Sequence, residues 1–177
     1  MERITRLIIL ITFSQLVMGQ NSANKSIDLT DLEGKWFINQ SNFPMWLKGD
    51  KTSPTFNYTI VKKKKGTFLL DRVEYVKNGK AKSINGIDKP LSASNTEFIW
   101  RGNGILRILK SKWKILYIDT KSQWAIIYFE KTLFTPEGYD IISRNKTLPA
   151  DIARDVKIKL AEYGVTLKLT TIIHNEG

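Results

Sequence analysis

Gly34-Lys35-Trp36 opens the first strand-like run of the chain, and Arg144 closes the last run of the series, just before a predicted helix. A small up-and-down β-barrel needs a plug at its closed end. A tryptophan indole on the first strand, covered by a guanidinium group from the last, provides one through stacking and cation–π attraction. Because Gly-x-Trp often arises by chance, its position and its partner arginine carry the prediction. We therefore predict that Gly34, Trp36 and Arg144 close a barrel.

Short alternating or β-branched runs separated by turn residues fill the chain between these two points. The turn signals include the lysine-rich sequence Lys62-Lys63-Lys64-Lys65-Gly66 and the hairpin sequence Asn78-Gly79. The eight runs span residues 35–40, 56–62, 67–76, 80–87, 96–101, 112–119, 123–131 and 138–143. At this number a closed barrel is just wide enough to hold one small ligand. The predicted fold class is all-β, an eight-stranded antiparallel up-and-down β-barrel.

A helical period replaces the strand period after residue 148. Pro149 suits a first helical position, Ile152, Val156 and Leu160 form an apolar stripe, and Gly164 ends it. We predict one C-terminal helix over 149–163, packed on the outside of the barrel, and a final edge strand within 165–173. The surface expected beneath the helix comprises Trp113, Trp124, Ile126 and Tyr128.

Composition favours an exported globular protein. The chain has 177 residues, of which 42% are apolar, a formal net charge of +11 and no cysteine. Arg3 and Arg6 followed by an apolar run predict a cleaved signal peptide over residues 1–19, and hence a secreted or periplasmic protein. Residues 20–31 then form a tail and a short helical turn, and residues 32–177 form the barrel domain. The absence of cysteine excludes a disulfide, a thiolate metal site and a lipid-anchor cysteine.

Three segments in this order resemble the signatures of the lipocalin family, over about residues 32–173. They are Gly34-Lys35-Trp36, the hairpin Asp119-Thr120 leading to Trp124-Ala125-Ile126-Ile127-Tyr128, and Ile142-Ser143-Arg144 followed by Leu148-Pro149. The second signature departs from the family's usual Thr-Asp-Tyr, and the family's usual disulfide is missing. The resemblance implies a monomer that binds a small hydrophobic molecule inside the barrel, without a cofactor. The cysteine-free chain is closest in type to bacterial members.

Period-two alternation predicts which side chains line the interior. If Asn57 faces solvent, its neighbours face inward, and the same pattern applies to the other strands. The predicted cavity lining is Phe56, Tyr58, Ile60, Phe98, Trp100, Ala125, Ile127, Phe129, Asp140 and Ile142. This interior is either an open apolar cavity or a solid core of side chains. The segment Phe43–Leu47 reads as a partly buried loop, which either packs beneath the first strand or forms a lid over the cavity mouth.

Asp140 is the one polar residue in the predicted lining. A buried carboxylate there needs Lys114 or Arg72 as a partner, or else its pKa rises, and it would orient the polar end of a ligand. The alternatives are a structural ion pair or a shifted register that leaves Asp140 in solvent. His174, the only histidine, is expected at the surface, and no catalytic or metal site is predicted.

Three functions follow from these patterns. The first is binding or transport of a fatty acid, sterol, isoprenoid or pigment, without enzymatic activity. The second is a basic surface protein whose Lys62–Lys65 turn binds polyanions or anionic membrane. The third is an isomerase or synthase that acts on a bound lipophile through Asp140 or Tyr58. Binding of nucleic acid is not expected, because exposed aromatic residues do not alternate with the basic run.

Overall fold

The computed structural model describes residues 26–121, 123–133 and 135–175. The predicted signal peptide lies outside these residues, as do residues 20–25 of the predicted tail. The helices of the described part are α1 (Leu29–Leu32), α2 (Pro44–Leu47) and α3 (Ala150–Glu162), with a 3-10 helix at Gly104–Ile108. Its strands are β1 (Gly34–Ser41), β2 (Thr52–Lys63), β3 (Gly66–Lys77), β4 (Lys80–Pro90), β5 (Glu97–Gly102), β6 (Lys110–Asp119), β7 (Trp124–Phe129), β8 (Gly138–Ser143) and β9 (Thr170–Thr171).

The first eight strands form a closed antiparallel barrel. Each strand from β2 to β8 pairs with its sequence neighbour, and β1 pairs with both β2 and β8, which closes the sheet. The β3–β4 hairpin turns at Asn78-Gly79, where both residues have positive φ angles of 51° and 68°, as a tight primed turn requires. The predicted fold class is confirmed.

The Trp36–Arg144 plug closes one end of the barrel. The guanidinium carbon of Arg144 lies 3.8 Å from the ring centroid of Trp36. The same guanidinium group donates hydrogen bonds to the carbonyl oxygens of Asp31, Glu33 and Lys35 at 3.1, 2.7 and 2.8 Å. Gly34 has a φ of +96°, and an added Cβ atom would lie 3.3 Å from Arg144 Nη1, so glycine suits both the backbone and the space.

Helix α3 packs on the outside of the barrel. Its buried residues Ile152 and Val156 form one cluster with Trp124, Ile126 and Ile141. Two details of the predicted contact surface are wrong. Trp113 points inward and belongs to the interior cluster. Tyr128 packs against Tyr139, with ring centroids 5.0 Å apart, and its hydroxyl group donates to Glu137.

Three local predictions also need correction. The segment 43–47 contains a one-turn helix, α2, because Pro44 suits the first helical position and Phe43 and Trp46 are buried together. The last strand is limited to β9, which pairs with Gln40 and Ser41 of β1. Pro149 precedes α3 as its N-cap residue.

None of the helices in the described ranges has the length and apolar character needed to cross a membrane.

Candidate functional site

A cavity of about 560 Å³ opens at the end of the barrel opposite the Trp36–Arg144 plug. Its walls come from the β-strands, from α2, from the 3-10 helix and from the β7–β8 connection. The lining is mainly apolar and aromatic, and it includes Phe43, Trp46, Phe56, Trp100 and Phe129. The volume and the chemistry fit a small-molecule site, which is usually apolar with a few polar groups.

Four residues of the predicted lining line the cavity, namely Phe56, Trp100, Phe129 and Asp140. Five others are buried in the core and do not line it: Tyr58, Phe98, Ala125, Ile127 and Ile142. The tenth, Ile60, is partly buried against that core and lines a groove beside the lysine turn. The interior is therefore hollow near the open end and filled with side chains deeper down, so each of the two expected interiors describes one part of it.

Several lining residues were missed by the sequence analysis. Val73 and Ile84 reach the cavity from β3 and β4, and Met45 and Trp46 reach it from α2. The alternation on β3 and β4 was a signal that could have found Val73 and Ile84. Trp46 packs edge-on against Tyr75, with ring centroids 6.0 Å apart, so α2 sits against the β3 wall at the mouth. This location matches the expected lid position.

Asp140 is the buried acid of the cavity. Its side chain is 1% exposed, and it pairs across the sheet with Ser41, which hydrogen-bonds to the carboxyl group. Its Oδ1 atom has no hydrogen-bond partner in the described part of the chain. Burial raises the pKa of Asp140 to about 7, and the Ser41 hydrogen bond opposes that rise.

Neither predicted partner of Asp140 contacts it. Lys114 lies outside the barrel with its Nζ atom 5.3 Å from the ring centroid of Tyr128. Arg72 pairs with Glu74 on the outer face at 2.8 Å. The expectations of an ion pair or of a solvent-exposed Asp140 are therefore wrong, and the alternative of a raised pKa describes the site.

Two further buried acids, Asp71 and Asp88, lie deeper in the barrel. Trp113 Nε1 donates to Asp88 Oδ1 at 2.7 Å, and Trp100 hydrogen-bonds to Asp71 through its side chain. Burial raises the pKa of Asp88 to about 7. Burial and the neighbouring Asp88 raise the pKa of Asp71 well above its ordinary value. Each carboxyl group thus holds one indole in place, and burial favours the protonated form of both acids.

The sequence contained a signal for the inward position of Asp71. Tyr58 faces Asp71 across the β2–β3 ladder, and cross-strand partners share one face of a sheet, so an inward Tyr58 places Asp71 inside. The pKa of Tyr58 is raised by its burial and by the nearby Asp71, Asp88 and Asp140.

Gly86 makes room for Trp100. A Cβ atom added at Gly86 would collide with the indole of Trp100. The missing side chain therefore leaves room for the indole, which hydrogen-bonds to Asp71 and lines the cavity. Gly86 is thus part of the wall geometry.

The described residues offer no metal site, and His174 lies away from the cavity. No group of His, Cys, Asp or Glu side chains among them is arranged to hold a metal ion. His174 is half-buried, in contrast to the expected surface position. Its Nε2 atom lies 2.9 Å from the Ile38 carbonyl oxygen and its ring packs edge-on against Phe37, away from the cavity lining. Burial lowers the pKa of His174.

Comparison with known proteins supports the fold. No protein-family model and no curated protein sequence matches the chain. Lobster apocrustacyanin A1 is similar in structure, with a TM-score of 0.65 and 14% identity over 87% of this chain and 83% of that one. Insecticyanin from the tobacco hornworm Manduca sexta has a TM-score of 0.68 and 15% identity over 86% and 83%.

The chain has a lipocalin fold. A third similar structure, the siderocalin Ex-FABP, gives a TM-score of 0.61 at 14% identity and covers 83% of this chain and 96% of that one. At such low identity the likeness concerns the lipocalin barrel and its external helix. A shared fold at this identity does not specify a ligand.

Proposed function

We propose that this lipocalin-fold protein binds and carries a small hydrophobic molecule in the cavity at the open end of the barrel. The observation that carries the proposal is the cavity of about 560 Å³ at the open end, with aromatic walls from Phe56, Trp100 and Phe129. Filling it with an apolar guest removes apolar surface of both partners from water. The siderocalin Ex-FABP, which has the same fold, is described as functioning through dual ligand specificities, and this supports a ligand-binding role.

The candidate guests are fatty acids, sterols, isoprenoids and pigments. A binding role is favoured over an isomerase or synthase role by the surroundings of the two candidate catalytic groups. Tyr58 packs in the core without reaching the cavity lining, and its raised pKa disfavours the phenolate form. Asp140 has Ser41 beside it as a hydrogen-bond partner, which fits orientation of a guest.

The test is calorimetric titration of the purified protein with a panel of these lipophiles. Ile84 lines the cavity, whereas the adjacent Ser83 is exposed on the outer face of β4. Ile84→Trp should fill the hollow and weaken binding about tenfold or more, and Ser83→Trp, the matched control, should leave binding unchanged. Failure of every panel member to bind the wild-type protein would contradict the proposal. Unchanged binding by folded Ile84→Trp would also do so.

The lysine turn supports a second candidate function. Lys62, Lys63, Lys64 and Lys65 are all exposed, and no salt bridge in the described part of the chain includes them. An outer groove of about 810 Å³ beside the turn is lined by Lys62, Lys65 and Lys89. We propose that this surface attracts polyanions, with affinity that falls as salt rises. Retention on heparin resin should drop when the four lysines become glutamine, and unchanged retention would exclude this surface.

A further inference from the structure

The charge inside the barrel is opposite in sign to the charge of the whole protein. The chain carries a formal net charge of +11. The buried charged-type residues of the described part are nevertheless Asp71, Asp88 and Asp140, while every lysine and arginine described there is exposed or only half-buried. Ionisable groups are seldom fully buried without a partner. Three buried acids in a basic protein are therefore expected to have a structural or binding role.

Asp140 is the acid that a guest can reach. It lines the cavity, and its Oδ1 atom is buried without a hydrogen-bond partner in the described residues. Asp71 and Asp88 each also have one buried oxygen without a hydrogen-bond partner among the described residues, but neither residue lines the cavity. A buried acceptor with no donor costs stability, and a donor brought by a guest would remove that cost.

Aromatic rings surround the space that Asp140 faces. The rings of Phe43 and Phe129 meet edge to face, with centroids 5.4 Å apart, and Phe56 stacks on Phe129 at 6.3 Å. Trp46 and Trp100 complete the aromatic lining. The faces of such rings attract cations, and a carboxylate among them adds a direct partner for a positive charge.

We propose that the guest of this cavity is a lipophilic amine, whose protonated nitrogen pairs with the Asp140 carboxylate while its apolar body lies against the aromatic walls. This inference rests on the proposed function and narrows it. A fatty acid placed the same way would bring a second carboxylate to Asp140, and like charges in a buried site disfavour each other. Fatty acids are thereby the least favoured of the candidate guests for the inner position.

Lys110 allows a competing binding mode, in which a fatty acid binds in place of an amine. It is an exposed basic residue that lines the mouth of the cavity. A fatty acid could bind with its tail inward and its carboxylate beside Lys110. The two arrangements differ in the residue that governs affinity, so matched probes separate them.

The test uses dodecylamine, dodecanol and dodecanoate below their micelle concentrations, titrated calorimetrically into the intact protein at about pH 8. An ammonium group paired with a buried carboxylate should make the amine bind about tenfold or more tighter than the alcohol, with the acid weakest. Asp140→Asn should bring the ratio of amine affinity to alcohol affinity close to one. The matched control Asp155→Asn, on the exposed side of α3, should keep the wild-type ratio.

A pH series on the wild-type protein keeps the inference testable if Asp140→Asn does not fold. Burial raises the pKa of Asp140 to about 7. The other titratable groups at the interior and its mouth include Tyr58, Asp71, Asp88, Tyr75 and Lys110. Since the amine pairs with the charged carboxylate, its affinity should fall about fivefold or more between about pH 8 and pH 5.5, whereas that of dodecanol should change little.

Three results would overturn the inference. Equal affinity for all three probes would leave the binding cavity standing and remove the amine preference. If dodecanoate binds most tightly of the three probes and Lys110→Gln abolishes this preference, the carboxylate of the guest lies beside Lys110 at the mouth. If the protein binds other lipophiles but does not bind dodecylamine, the amine inference is wrong and the proposed function stands.

Discussion

Arg144 stabilises the closed end through two kinds of contact. Its guanidinium group stacks on Trp36 at 3.8 Å and donates hydrogen bonds to three backbone carbonyl groups of the segment before and within β1. Trp36 Nε1 in turn donates to the Leu32 carbonyl oxygen at 2.8 Å. The two side chains thereby fix α1 and the start of β1 to the end of β8. Removal of either one deprives the other of their stacking contact.

Trp36→Ala and Arg144→Ala should therefore destabilise the barrel in a non-additive way. We expect each single change to cost about 2–4 kcal/mol and the double change to cost less than the sum, with a coupling energy of about 0.5–3 kcal/mol. Urea unfolding of the wild-type protein, the two single variants and the double variant, monitored by circular dichroism, measures this double-mutant cycle. Strict additivity would show that the two groups act independently.

The buried acids predict an unusual dependence of stability on pH. Between about pH 4 and pH 7, folded Asp140 keeps a proton that the unfolded chain has released, because burial raises its pKa from 3.8 to about 7. The folded state then binds more protons, so the free energy of unfolding should fall as pH rises through this window, by up to about 4 kcal/mol for Asp140. Asp71 and Asp88 act in the same direction.

Asp140→Asn isolates this contribution. The variant should show a shallower fall in the free energy of unfolding between about pH 4.5 and pH 7.5 than the wild-type protein. Half-buried His174, whose pKa is lowered by burial, acts in the opposite direction in both proteins and cancels in the comparison. Denaturant unfolding at several pH values measures both slopes, and identical slopes would contradict the assignment of a raised pKa to Asp140.

At the scale of elements, α3 covers the apolar outer face of β7 and β8. Val156 is fully buried against this face, while the adjacent Lys157 is exposed. Val156→Ala should lower the free energy of unfolding by about 1–3 kcal/mol, and Lys157→Ala should change it by about 0.5 kcal/mol or less. Thermal unfolding of both variants tests the contact. Equal effects would show that α3 is not held by its buried face.

The sequence predicted the strands and the helix α3 well but predicted individual side-chain contacts less well. The difference arises because contacts depend on the strand register, which β-bulges shift. Strand order and inward positions such as Phe56 follow from local turn signals and alternation. Alternation breaks at β-bulges, however, and β6 has a register shift between Ile115 and Tyr117. Leu116 and Tyr117 therefore both reach the α3 side, while Trp113 stays inside. No local pattern reveals such a shift.

Part of the candidate site depended on contacts between distant segments. Burial raises the pKa of Asp140, and neither Lys114 nor Arg72 points inward to offset that rise. Only the assembled barrel shows where those two side chains go. The α2 turn lines the mouth because Trp46 packs on Tyr75 of β3, a contact between residues far apart in the sequence. Propensity and alternation describe single strands and cannot supply these pairings.

At the scale of the whole molecule, a basic exterior encloses an acidic, aromatic interior. Mobile ions screen the exterior charge over a Debye length of about 8 Å at physiological salt, so a cation within the barrel interacts mainly with the groups that line it. The barrel thus separates two chemistries, with lysines facing water and Asp140 facing the cavity. The lipocalin fold makes this separation possible because alternate residues of every strand face opposite sides.

A crystal structure of the protein with its tightest-binding lipophile tests the central claim most directly. We expect the guest within the cavity bounded by Phe56, Trp100 and Phe129, with its polar end within hydrogen-bond distance of Asp140 Oδ1. A guest bound on the outer surface, or a cavity that stays empty at saturating ligand, would contradict the account.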